Sequence, residues 1–181
     1  MNITTYGQGS HEHSTRVCKE LRMRGLPALD LGCGTASHTR KFSNCVFMDI
    51  DQTPHTPPGM IVWDIRDVLN SPVKGQSFGT VYLLDVIEHI TKEEGRRLIS
   101  DLQTMAERIV LFTPLGDLWI SDDPSPHAHK SGWTPDDLPG WNTWTWPEFH
   151  RFADGGVHGA FWAWWSKGVN PTPASVEEMT R

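Results

Sequence analysis

Four short groups of residues have types and spacings that could do chemistry. The first is Asp30-Leu31-Gly32-Cys33-Gly34-Thr35-Ala36. Its glycines permit a tight turn and let a ligand approach the backbone, and an acid just before them can meet a cationic group. The second is Asp49, which follows Asp30 by nineteen residues and closes an apolar run. A carboxylate in that position can accept both hydroxyls of a ribose. The third is the turn Asp85-Val86-Ile87-Glu88-His89, and the fourth is the pair His127 and His129 in a polar stretch. Asp85, Glu88 and two of these three imidazoles, His89 and His129, can move a proton, clamp a polar substrate, or hold a divalent metal that lowers the pKa of a hydroxyl.

Such groups act only if a frame brings them together. Residues 13–24 read as a helix with Val17, Cys18 and Leu21 on one face, stopped by Gly25. Residues 27–31 form a short apolar run ending in glycines, which predicts a buried strand, and residues 35–42 should be the helix after it. Residues 45–48 and 60–63 read as the next two strands, closed by Asp49 with Asp51 and by Asp64, with Pro54, Pro57 and Pro58 in the turn between them. Residues 77–84 read as a fourth strand. Thr91 and Glu94 then form a capping box, and Leu98, Ile99, Leu102, Met105 and Ala106 make one apolar stripe.

A fifth strand covers residues 108–112 and stops at Thr113-Pro114. Residues 116–132 form a long polar loop, a length that is usually functional or disordered. A single helical turn is expected over 134–138. Two late aromatic strands follow at 141–146 and 159–165, joined by a short link over 147–158. The predicted architecture is α/β. It is a Rossmann-like, seven-stranded, mostly parallel sheet with helices on both faces and an antiparallel edge strand.

The chain has 181 residues and a formal net charge of −6. That length fits a single domain, and that charge argues against a broad nucleic-acid footprint, which needs clustered Lys and Arg. No apolar stretch approaches a membrane span, and the N-terminus is polar. The three cysteines, Cys18, Cys33 and Cys45, have no metal-knuckle or disulfide-framework spacing, so a reduced, cytoplasmic protein is expected. Nine tryptophans are present, eight of them from Trp119 onward, which suggests that the two halves do different jobs.

Taken in order, these segments resemble the class I S-adenosylmethionine-dependent methyltransferases. Leu29-Asp30-Leu31-Gly32-Cys33-Gly34-Thr35 looks like their first motif, and Phe47-Met48-Asp49-Ile50-Asp51 like their acid-ended second strand. Trp63-Asp64-Ile65 resembles the position whose carboxylate meets the adenine amino group. Phe78-Gly79-Thr80-Val81 through Asp85-Val86-Ile87-Glu88-His89-Ile90 resembles the fourth strand and its turn, and Phe112-Thr113-Pro114 the fifth. The resemblance runs over residues 26–165. Two residues depart from it: Gly79 stands for a usual acid and Ala36 for a frequent glycine.

The resemblance implies S-adenosylmethionine as cofactor. It also implies a division of the single domain 1–181 into an N-terminal helix or lid (1–25), a cofactor-binding half (26–114) and an acceptor-side loop with aromatic late strands (115–181). Gly32 and Gly34 would pass under the methionine end, with Asp30 ordering that loop. Asp49 would bind the ribose, Asp64 and Ile65 would frame the adenine, and Leu84 would offer backbone to the methionine amine.

A sulfonium methyl is already activated, so the protein mainly places a nucleophile in line and keeps water out. Glu88, His89 and His129 are the catalytic candidates, and Asp85, Trp119 and Trp133 the candidates for the acceptor pocket. Asp85, Glu88, His89 and His129 also resemble the metal set of small-RNA 3′-terminal 2′-O-methyltransferases, with Asp85 in place of a Glu. The alternative is that Glu88 caps or orders the following helix and His89 lines the pocket. A divalent metal is therefore not the favoured reading.

A small-molecule acceptor is the expected partner. RNA and a non-catalytic cofactor-binding module are the alternatives, and no membrane partner is expected. The late strands, if at a sheet edge, could make a homodimer face. Most of the tryptophans should serve the core and the sheet faces. His11 and His13 read as an ordinary solvated end.

Overall fold

Apolar periodicity fixes which face each element buries, and a computed structural model, describing residues 3–6 and 10–169, shows the outcome. The chain runs β1 (Ile3–Tyr6), α1 (Ser10–Glu20), β2 (Ala28–Leu31), β3 (Cys45–Asp49), β4 (Ile61–Val62), β5 (Phe78–Leu84), α2 (Lys92–Met105), β6 (Ala106–Pro114), β7 (Asn142–Phe152) and β8 (Val157–Ser166). Short 3₁₀ turns lie at Ile65–Asn70, Ile87–His89 and Pro135–Asp137. All strands join one sheet in the order β1-β7-β8-β6-β5-β2-β3-β4. Strands β4, β3, β2, β5 and β6 are parallel to one another, and β8 runs antiparallel to β6. The seven expected strands are all present, and β1 adds an eighth beyond β7.

The period-two alternation of the strands divides the core cleanly. Leu29, Leu31, Val81, Leu83, Ile109, Leu111, Phe161 and Ala163 face one side, where Leu98, Ile99 and Leu102 of α2 pack on them. Ala28, Tyr82, Val110, Phe112, Ala160, Trp162 and Trp164 face the other, where Val17, Cys18 and Leu21 of α1 cover them. The Tyr82 hydroxyl donates to the Cys18 carbonyl at 2.7 Å, which fastens α1 to the sheet. Helices on both faces of a mostly parallel sheet are thus a direct result of the apolar pattern. The predicted capping box also forms. Thr91 Oγ1 accepts from Glu94 N–H at 3.3 Å, and the Glu94 carboxylate accepts from Thr91 N–H at 2.9 Å.

Three expectations are corrected. Residues 35–42 form a string of turns, not a helix. Gly34 and Ala36 both take left-handed backbone, at φ +50° and +52°, which a helix cannot continue through. Ala36 therefore occupies a conformation that glycine adopts without strain, which accounts for the glycine expected there. The link between the late strands is only residues 153–156, because β7 resumes after a register shift between Trp146 and His150. Pro147 lies within that irregularity and has no N–H to give to the ladder. His13 is not a solvated end but packs between Trp144 and Trp146, with ring centroids at 4.8 and 5.2 Å.

Gly79, standing where an acid was expected, has a packing reason. A Cβ there would lie 2.7 Å from Leu26 Cβ. The segment after α1 crosses β5 at that point, and Gly79 N–H donates to the Pro27 carbonyl at 2.8 Å. Strand order reverses at β2, which has β3 on one side and β5 on the other. In open α/β sheets, ligands bind outside the carboxyl ends of the strands at such a switch point.

Candidate active site

The glycine turn after β2 is held from beneath by its neighbour strand. Gly32 N–H and Cys33 N–H both donate to the Met48 carbonyl, at 2.8 and 3.1 Å. Gly32 sits at φ +66°, and a Cβ on it would lie 2.6 Å from Val86 Cγ2. Glycine thus lets the turn after β5 close against the turn after β2. Asp49 ties the second motif to the first. Its Oδ2 accepts from Gly34 N–H at 2.7 Å, and its Oδ1 from Asp51 N–H at 3.0 Å. Each carboxylate oxygen keeps a lone pair for a further donor.

Asp30 is buried on the α1 side of β2, and the Thr39 hydroxyl donates to it. Burial pushes its pKa up to about 7; the Thr39 hydrogen bond opposes that shift, and the charge of Asp49 adds to it. Asp30 therefore orders the turns that replace the expected helix and does not line the cavity described below. Its folded pKa lies above the ordinary value of 3.8, so the native state holds the proton longer than the unfolded chain. The resulting stability is complete below about pH 4 and is lost as the pH rises through about 7. Asp30→Asn should therefore gain on wild type by about 2–3 kcal/mol between pH 5 and pH 8. Urea unfolding at the two pH values checks this, and a pH-independent difference would remove the assignment.

A cavity of about 530 Å³ opens at the carboxyl ends of β2, β3 and β5. Gly32, Gly34, Asp49, Ile50 and Asp51 form one wall, and Asp64, Ile65 and Arg66 close one end. Asp85, Val86, His89 and Ile90 lead toward α2, and Pro124, Ser125, Pro126, His127 and Lys130 reach in from the long loop. His127 Nε2 lies 2.9 Å from Asp51 Oδ2, which pins the loop to the end of β3. Asp64 caps the following 3₁₀ turn by accepting from Arg66 N–H at 2.9 Å. Its carboxylate also takes the Arg66 guanidinium in a two-point pair, at 2.9 and 2.5 Å. That hydrogen bonding holds the Asp64 carboxyl below its usual range. Arg66 reaches Glu94 as well, at 3.4 Å. Leu84 ends β5 with its side chain against the α1-side cluster, and Asp85 after it turns the chain at φ +53°.

The acid-x-x-Glu-His turn divides its labour. Glu88 is buried, and its carboxylate accepts from the Thr113 hydroxyl at 2.8 Å. Burial first, then the neighbouring charge of Asp85, push its pKa up. Asp85 is exposed and lines the cavity, and the protein packed around its carboxyl pushes its pKa up too. Glu88 does not cap α2, which Thr91 does. Its backbone carbonyl instead accepts from Lys130 and Ser131 N–H, at 2.6 and 3.1 Å, so it anchors the long loop.

His89 has a lowered pKa, through burial and then the nearby His129, and is neutral near pH 7. The two rings meet edge to face with centroids 4.9 Å apart. His129 Nδ1 lies 2.6 Å from the Leu118 carbonyl. A carbonyl can only accept, so Nδ1 carries the hydrogen and Nε2 of the neutral ring keeps its lone pair. Ligand atoms of Glu88, His89 and His129 all lie within 4.8 Å of one another, a group that does not include Asp85. His89 Nδ1 is buried and has no hydrogen-bond partner in the described structure.

Neither of the two tryptophans proposed for an acceptor wall lines the cavity, and they differ in burial. Trp119 is 40% exposed, sits at φ +56°, and packs beside His129 and Phe152 with ring centroids at 5.9 and 5.8 Å. Trp133 is fully buried, donates its Nε1–H to Ser131 Oγ at 2.9 Å, and has the Lys92 ammonium 5.3 Å from its ring centroid. It belongs to the α2-side core and not to the cavity.

Sequence reading missed Thr39, Thr113, Arg66 and Lys130. Thr113 and Lys130 act through partners far away in the chain, Arg66 and Lys130 line a cavity that only the fold creates, and Thr39 reaches back nine residues to Asp30. Thr113 alone had a visible signal, as a hydroxyl at the carboxyl end of a central strand.

No protein-family model matches the chain, and no curated protein does. Solved structures do match. The magnesium protoporphyrin IX methyltransferase of Synechocystis PCC 6803, with bound S-adenosylmethionine, is 19% identical over 88% of this chain and 79% of its own, with a TM-score of 0.55. A cyclopropane-fatty-acyl-phospholipid synthase-like protein from Lactobacillus casei ATCC 334 is 11% identical over 86% and 90%, with a TM-score of 0.59. The small RNA methyltransferase HEN1 is 12% identical over 96% of this chain but only 27% of its own, with a TM-score of 0.60. The chain has the Rossmann-like α/β fold of the S-adenosylmethionine-dependent methyltransferases. Among the described residues, no helix is long and apolar enough to cross a membrane.

Proposed function

We propose that this chain is an S-adenosylmethionine-dependent methyltransferase that passes the sulfonium methyl, by in-line displacement, to an oxygen or nitrogen of a small planar acceptor. The observation that carries the reading is the 530 Å³ cavity at the sheet's switch point, with the glycine turn and Asp49 on one wall. Its volume falls in the range of about 300–1,000 Å³ usual for small-molecule sites. In this reading Gly32 and Gly34 admit the methionine end, Asp49 accepts the ribose hydroxyls, and Asp64 with Ile65 frames the adenine. Asp85 faces the cofactor's cationic end. Residues 26–114 serve the cofactor and residues 115–169 the acceptor. His129 Nε2 is the base candidate when the nucleophile is a hydroxyl, with Trp119 beside it.

A second reading, a metal-dependent RNA 2′-O-methyltransferase, is favoured by one observation, the grouping of Glu88, His89 and His129. Two imidazoles and a carboxylate suit a borderline divalent cation, and donors within 4.8 Å of one another would draw closer to take bonds of about 2.0–2.2 Å. The Leu118 carbonyl already orients His129, as an outer-shell partner does. When bound, such a cation would lower the pKa of the acceptor hydroxyl. The net charge of −6 speaks against a long RNA footprint.

Transfer of labelled methyl from S-adenosylmethionine to a panel of hydroxylated and amino aromatics, with chelator or with Mn²⁺, separates the readings. Chelator-resistant methylation of a small aromatic supports the first. Mn²⁺ dependence, lost in His129→Ala, and transfer to an RNA end support the second.

A further inference from the structure

The cavity has two electrostatically different walls. The cofactor side carries Asp49, Asp51, Asp64 and Asp85. The loop side, residues 124–130, has the sequence Pro-Ser-Pro-His-Ala-His-Lys and no acid. Two cationic side chains of Lys or Arg line the cavity, Arg66 and Lys130. Arg66 is already neutralised by Asp64 and Glu94. Lys130 makes no ion pair among the described residues, and its Nζ reaches only the Ser121 carbonyl, at a long 3.4 Å. Yet its backbone is fixed, since its N–H donates to the Glu88 carbonyl at 2.6 Å. The backbone of Lys130 is thus fixed at the Glu88-His89 turn, next to His129 in sequence, and its flexible side chain lines the cavity.

We propose that Lys130 forms an oxyanion subsite for the acceptor, which carries a carboxylate or a phosphate ester on the side of its reacting group that faces the long loop. The inference rests on the methyltransferase reading. A positive charge held in a cavity whose other wall is acidic selects a substrate of opposite sign on one side only, and so sets the substrate's orientation. Charge-assisted hydrogen bonds are roughly twice as strong as neutral ones, so one ammonium is enough to discriminate the anion from its neutral analogue. The cofactor's own carboxylate is the competing occupant for Lys130, and the test separates the two.

The experiment uses the full chain saturated with S-adenosylhomocysteine and labelled with ¹⁵N. Benzoate and phenyl phosphate are titrated while the Lys130 and Ser131 amide resonances are followed, with benzamide as the neutral control. At least one anion should shift these resonances to saturation, and benzamide should not. Lys130→Gln should weaken that binding about tenfold, and Lys130→Arg should retain it. Affinity for S-adenosylhomocysteine should stay within about twofold in both variants. Saturation by benzoate alone identifies a carboxylate acceptor, and saturation by phenyl phosphate a phosphate ester.

A loss of about tenfold or more in S-adenosylhomocysteine affinity in Lys130→Gln would overturn the proposal, because Lys130 would then serve the cofactor. So would the lack of any anion-specific shift in a protein that binds the nucleoside. Failure of wild type to bind S-adenosylhomocysteine at all would instead strike the methyltransferase reading.

Discussion

Asp49→Ala should weaken S-adenosylhomocysteine binding about 100-fold, and Asp49→Asn about tenfold. The reasoning starts from the hydrogen bonds already present. Asp49 holds Gly34 N–H at 2.7 Å and Asp51 N–H at 3.0 Å, so it both builds the glycine turn and presents its free lone pairs to the cavity. Alanine removes the turn's anchor and the ribose acceptor together. Charged hydrogen bonds of this kind contribute about 1.5–3 kcal/mol, and about 2.7 kcal/mol is a factor of 100 in affinity. Asparagine keeps one oxygen acceptor and loses the charge, hence its smaller cost. Calorimetric titration of both variants measures the two ratios, and equal affinities across wild type, Asn and Ala would detach Asp49 from the ligand.

Trp133→Ala should cost about 3–5 kcal/mol of folding stability, the range for deleting a buried aromatic. Its ring is fully enclosed in the core between the long loop and α2, and its Nε1–H occupies Ser131 Oγ. Ser131 Oγ in turn donates to the Ile90 carbonyl at 2.7 Å, so the same change loosens the junction that carries His129 and Lys130. Trp119→Ala should cost less than about 1 kcal/mol, because much of that ring is already in water. Urea unfolding of the two variants gives the comparison. Similar losses would mean that Trp133 does not have the structural role its burial indicates.

These two residues mark the limit of what the sequence could tell. Asp49 was legible because an acid at the end of a short apolar strand, nineteen residues after Asp30, has both a place and a chemistry before any fold is known. The frame was legible for the same reason. Alternation in β5, β6 and β8 and the Thr91–Glu94 box are local patterns, and local patterns survive folding.

Trp133 was not legible. Its neighbour in sequence, the polar loop, suggested a pocket, while its packing partners in α2 are about forty residues away. The expected helix over 35–42 failed because backbone conformation at Gly34 and Ala36 overrode ordinary helix-forming side chains. At the turn after β5, the sequence grouped Asp85, Glu88, His89 and His129; the fold brings the last three together and leaves Asp85 out. Whether Glu88 would cap α2 or anchor the loop depended on backbone bonds to Lys130 and Ser131, which no spacing rule contains.

The central claim is that the cavity at the switch point is a nucleoside site. Calorimetric titration of S-adenosylhomocysteine into the wild-type chain tests it most directly. The account predicts saturable binding to one site per chain, with a Kd of about 10 μM or tighter, and a matching rise in melting temperature. An absence of heat and of any thermal shift at about 1 mM ligand would contradict it.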